Sequence, residues 1–74
     1  MPKLSVTKPK DLIKVLQKMG FAVVHISGSH YIMYNDNKSL RVSIPYHNKP
    51  LKRKTLTSIL KDAQISVGKL KELL

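Results

Sequence analysis

Cysteine is absent from this 74-residue chain, and so is tryptophan. Without cysteine there is neither a disulfide framework nor a thiolate metal site, so the fold rests on packing or on a partner. Acidic residues are scarce too: four Asp and Glu stand against fourteen Lys and Arg, a formal net charge of +10. No apolar run approaches the ~20 residues that a membrane span needs. The opening Met1-Pro2-Lys3-Leu4 has no apolar signal-peptide core, so the expected location is cytoplasmic. His25, His30 and His47 lack the spacing of a zinc motif, and neither a metal nor a small-molecule cofactor is expected.

What remains is one small domain spanning residues 1–74. A chain of this size buries only roughly 60% of its unfolded surface, so its core is thin. The apolar content is nonetheless that of a globular protein rather than a disordered one. Charge of one sign raises the local concentration of polyanions and speeds encounter with them. Nucleic acid, an anionic membrane surface and an acidic protein are the partner classes that could use it.

Residues 1–6 read as an extended lead-in. Thr7 is the expected N-cap of a first helix, with Pro9 in its opening turn. Leu12, Ile13, Val15, Leu16 and Met19 fall on one helical stripe, and Gly20 supplies a left-handed stop. Residues 21–26 read as a strand, in which His25 shares the parity of Phe21 and Val23 and is expected as a strand-end or surface residue without a functional role. Residues 30–34 form a second strand, followed by the turn signal Asn35-Asp36-Asn37. Leu40, Val42 and Ile44 alternate with Arg41 and Ser43, marking a half-buried third strand that Pro45 ends. After a loop, Leu56, Ile59, Leu60 and Ala63 form a second helical stripe, and Ser66 caps a short last helix. The expected fold class is α+β, in the order α-β-β-β-α plus a short C-terminal helix. It has a three-stranded antiparallel sheet with helices on one face and the other face open. Double-stranded-RNA-binding domains share that order.

The chemistry centres on Gly28-Ser29-His30. Histidine is the side chain whose ordinary pKa lies near neutrality, so it can take and give a proton at cellular pH. RNA carries its own nucleophile, the 2′-OH beside the scissile phosphate. Cleavage needs a group to remove that proton, a donor for the 5′-oxygen, and positive charge on the phosphate. His30 can supply the acid or the base. Gly28 lets backbone approach a phosphate, and the Ser29 hydroxyl can donate to one. Lys49, Lys52, Arg53 and Lys54 form the densest basic cluster, at a helix N-terminus where cations oppose the dipole unless an anion binds there. Arg41 and Ser43 can line the open sheet face, and His47 is a phosphate-contacting or loop-ordering candidate. Tyr31 and Tyr34 can stack on unpaired bases or pack across strands.

Gly20-Phe21, Gly28-Ser29-His30, Val42-Ser43-Ile44-Pro45 with His47, Leu56-Thr57-Ser58-Ile59-Leu60 and Ile65-Ser66 occur in an order and spacing that resembles the HicA (YcfA-like) toxin family. The resemblance runs from Leu4 to Leu74. It implies a small mRNA interferase with a double-stranded-RNA-binding-like fold, His30 at the catalytic position, and neutralisation by a HicB-like antitoxin encoded beside it. Two positions depart from the family pattern. Gln64 stands where members usually carry Gly after the second helix, and Lys54-Thr55-Leu56 replaces a frequent Gly-Thr-Leu. Two other classes fit the residues alone: a non-catalytic RNA-binding module of the same fold, and a protein-binding adaptor. His30 separates them from a nuclease, because a binder has no use for a near-neutral proton carrier behind a Gly-Ser turn.

Overall fold

The computed structural model describes residues 7–74; the lead-in expected at residues 1–6 lies outside them. Helix α1 spans Pro9–Lys18, and Lys8, not Thr7, occupies its N-cap position, without a side-chain cap bond. The sequence assigns that cap to Thr7, but Thr7 is buried and serves a different contact. Its carbonyl accepts the Leu51 N–H at 2.8 Å, which ties the loop before the second helix to the start of the first. The far end of α1 closes as expected. Gly20 has φ +97, its N–H donates to the Gln17 carbonyl, and the Phe21 N–H reaches back to the Leu16 carbonyl at 2.9 Å. This pair of hydrogen bonds engages two carbonyls of the last helical turn, and it delivers Phe21 straight into the core that Leu16 also enters.

Strands β1 (Ala22–Ser27), β2 (His30–Asn35) and β3 (Leu40–Pro45) form one antiparallel sheet in the order β1-β2-β3. Along β2 the period of two separates the faces. Tyr31, Met33 and Asn35 pair with Ile44, Val42 and Leu40 and look toward the helices. His30, Ile32 and Tyr34 pair with Pro45, Ser43 and Arg41 on the open face. Residue Asn35, part of the expected turn signal, is instead the last residue of β2 and is almost fully buried. Its amide donates to the Met19 carbonyl at 3.1 Å, and its Oδ1 accepts the Lys38 N–H at 3.2 Å. A Cβ on Gly20 would come within 3.2 Å of that amide. The glycine therefore serves the helix stop and the close approach of Asn35 together.

Helix α2 (Arg53–Ala63) packs chiefly on β3, and α3 (Val67–Leu73) lies against α1. The expected stripes are the buried ones: Leu12, Ile13, Val15 and Leu16 from α1, and Leu56, Ile59, Leu60 and Ala63 from α2. They meet Phe21, Met33, Val42 and Ile44 in one core, which Leu51, Ile65 and Leu70 close from the loops and α3. Ser66 caps α3 as expected, its hydroxyl accepting the Lys69 N–H at 3.1 Å. The helices leave the β1 edge uncovered, so Ile26, which pairs with Tyr31, is still half exposed.

Gln64 takes the left-handed conformation that a glycine would favour, with φ 58 and ψ 41. The Ile65 N–H then reaches the Leu60 carbonyl at 2.9 Å, the same closure that ends α1. An L-residue in this region costs about 1–2 kcal/mol, part of which a glycine would return as chain entropy in the unfolded state. Gln64→Gly should therefore stabilise the protein by about 1 kcal/mol. In thermal unfolding the midpoint should rise by about 4–8 °C.

Candidate active site

The Gly28-Ser29 turn joins β1 to β2 and places His30 at the first position of β2. Gly28 has φ +58, and a Cβ there would meet nothing within 4 Å. Its glycine is required by the backbone alone, and the space beside it is open. The turn is held from the third strand. The Tyr46 N–H donates to the Ser29 carbonyl at 2.6 Å. The Tyr46 ring stacks on Tyr31 with centroids 4.6 Å apart and planes inclined by 20°. Tyr31, the residue after His30, is packed against the core. A chain of contacts thus runs from the core through Tyr31 and Tyr46 to the turn that carries His30.

His30 itself is exposed and pairs with Ser27 on one side and Pro45 on the other. Two residues along β2, Ile32 sits at the middle of the open face, between His25 on β1 and Ser43 on β3. Tyr34 follows on the same face, between Ala22 and Arg41. The strands contain no carboxylate, so the face is cationic wherever it is charged.

The placement of His25 departs from the sequence parity. A β-bulge shifts the register between Val23 and His25, so that Val23 pairs with Met33 but His25 pairs with Ile32. Val24 is the extra residue and is 60% exposed. One inserted residue moves His25 off the face of Phe21 and Val23 and onto the open face that carries His30. Nothing in the run Val23-Val24-His25-Ile26 distinguishes a bulge from regular alternation, which is why the sequence pattern missed it.

The other candidates divide into three groups. Gly28, Ser29 and Ser43 lie around His30. Beyond Pro45, a cleft of about 340 Å³ is lined by His47, Lys49, Leu51, Lys52 and Thr55. Lys52 is the N-cap residue of α2 and makes no side-chain cap bond, and no acidic residue stands in that helix's first turn. Arg53 and Lys54 leave this cleft. They line a separate concavity with Thr57, Ser58 and Lys61 along the outer face of α2. Arg41 is on the open face but at its far end, about 13 Å along β3 from the residue opposite His30. Tyr34 is the tyrosine on the open face, whereas Tyr31 is committed to the core and to Tyr46. Among the described residues no three His, Cys, Asp or Glu side chains converge as a metal site would require. None of the helices there is long and apolar enough to cross a membrane.

The stack on Tyr46 is worth about 0.5–1.5 kcal/mol beyond the area it buries. Tyr46→Ala should cost at least that much in chemical denaturation. Faster hydrogen exchange of the Tyr46 amide is the expected local sign, because the latch on the Ser29 carbonyl loosens with the ring.

None of the curated proteins compared with this chain matches it. The family model of the HicA toxin of bacterial toxin–antitoxin systems matches residues 9–65, from the first residue of α1 to the residue that closes α2. That span takes in the Gly28-Ser29-His30 turn, the whole sheet and the cationic loop, and the chain belongs to the HicA toxin family.

Proposed function

We propose that this toxin is a metal-independent endoribonuclease that cleaves mRNA, with His30 as its essential acid or base. The observation that carries this reading is the setting of His30. An exposed imidazole stands on the open sheet face at the end of a latched turn, with the His47–Lys49–Lys52 cleft just beyond its β3 partner. Family membership supplies the toxin role and, with it, a protein antitoxin. A HicB-like antitoxin that covers the His30 end of the sheet would silence the site, and the basic surface gives an acidic partner a fast, salt-sensitive encounter.

In the proposed reaction the 2′-oxygen attacks phosphorus as its proton passes to a base. The bond from phosphorus to the 5′-oxygen then breaks as an acid protonates that oxygen. The products are a 2′,3′-cyclic phosphate and a 5′-hydroxyl. His30 performs one of the two transfers. Ser29 and the backbone at Gly28 contact the phosphate, with Ser43 beside them on the sheet. Lys49, Lys52 and His47 hold the RNA backbone on one side of the site. Arg53 and Lys54 extend the track along α2, and Arg41 extends it across the open face.

Two outcomes follow. Single-stranded RNA should be cleaved in EDTA to a 2′,3′-cyclic phosphate, and DNA, which lacks the 2′-OH, should bind but survive. His30→Ala should lose about 10²–10⁴ in rate while keeping its fold. Equal cleavage by the variant and the wild type, or loss of wild-type cleavage in EDTA, refutes the mechanism. RNA binding without any His30-dependent cleavage would instead identify a non-catalytic RNA-binding module. For the electrostatic part, Lys49→Gln with Lys52→Gln should flatten the slope of log affinity against log salt by about 1.4, two single-strand phosphate contacts at roughly 0.7 each. An unchanged slope would remove these lysines from the RNA track.

A further inference from the structure

In-line cleavage needs two proton carriers on opposite sides of one phosphate, and His30 is one side chain. We propose that His25 is the second proton-transfer group of the site, an assignment that rests on the ribonuclease reading above. The bulge at Val24 carries the argument. It puts His25 opposite Ile32, two residues from His30 on the same open face. Cross-strand positions offset by two residues lie about 7–8 Å apart, which leaves room for a phosphate between two imidazoles. Both side chains are exposed, and among the described residues neither is held by a side-chain hydrogen bond. Bulges occur next to active sites, where they re-aim a side chain. Here the insertion turns toward His30 a histidine that regular alternation would have left on the other face.

The step balances with these two groups alone. One neutral imidazole takes the 2′-OH proton as the O2′–P bond forms. The other, protonated, gives its proton to O5′ as the P–O5′ bond breaks. Among the described residues, the remaining titratable and charged groups of these strands on this face are Tyr34 on β2 and Arg41 on β3, both further from His30 along their strands than His25. The competing histidine is His47. It lines the lysine cleft beyond Pro45, on the side of the α2 N-terminus, and is a binding residue in the proposed arrangement.

The test compares wild type, His25→Ala, His25→Gln, His30→Ala and His47→Ala on one RNA across pH. Wild-type kcat/KM should follow a bell, because one histidine acts as base and the other as acid. Both His25 variants should lose about 10²–10⁴ in kcat with little change in KM, and each should lose one limb of the bell. His47→Ala should keep both limbs. A second substrate with sulfur in place of the 5′-bridging oxygen needs no acid to expel its leaving group. It should restore either the His25 or the His30 variant, whichever lacks the acid. Wild-type rate in the His25 variants overturns the proposal, as does a slower rate with both limbs intact, a rise confined to KM, or rescue of neither variant. In each of those cases His30-dependent cleavage survives, so the ribonuclease reading stands. Absence of wild-type cleavage ends both.

Discussion

The register of β2 is the constraint on which the rest of this structure depends. It is the central strand of three, so a one-residue slip would exchange its faces against both neighbours at once. Met33 would leave the core and His30 would enter it. Two side chains prevent the slip from opposite ends. Asn35 fixes one end to the last turn of α1 and to the β2–β3 turn, through the two ends of its side-chain amide. Tyr31 fixes the other through its stack on Tyr46, and Tyr46 in turn holds the turn before His30. The end of the strand that carries the candidate site and the end that meets α1 are thus locked by separate devices.

Much of this was legible in the residues. Both helical stripes, the alternation of β3, the stop at Gly20 and the cap at Ser66 each follow from local chemistry that no tertiary contact overrode. Thr7 and Asn35 depart from the sequence expectation for a shared reason. Both are residue types that favour caps and turns. Burial changed their use: the Thr7 carbonyl ties two segments together, and the Asn35 amide fills a polar gap between a helix end and a sheet. A residue's capping preference describes what it does when solvated, and these two are not. The family resemblance is visible from motif order. The placement of His25 was not, because a bulge depends on how two strands pair and leaves no mark in a run of β-branched residues.

The basic charge, read along the chain, looks like one cluster from Lys49 to Lys54. In space it is two. A helix turns by about 100° per residue, so Lys52 at the cap faces the loop cleft while Arg53 and Lys54 face outward with Lys61. The distinction matters for a toxin that needs both a substrate and an inhibitor. One cationic surface adjoins the candidate site, and the other is set away from it on the back of a helix. Two polyanionic or acidic partners could therefore meet different lysines of the same short segment.

The inserted residue at Val24 has a further consequence, for solubility. Among the described residues strand β1 is an uncovered edge, and two of its exposed side chains, Val24 and Ile26, are large and apolar. A straight edge of that composition would be a template on which a second chain could add a strand. The bulge breaks the regular spacing of edge hydrogen-bonding groups and increases the local twist at that very place. Mutual repulsion between copies carrying a net charge of +10 acts in the same direction. At β1 the kink that turns His25 onto the open face also spoils the edge for self-assembly.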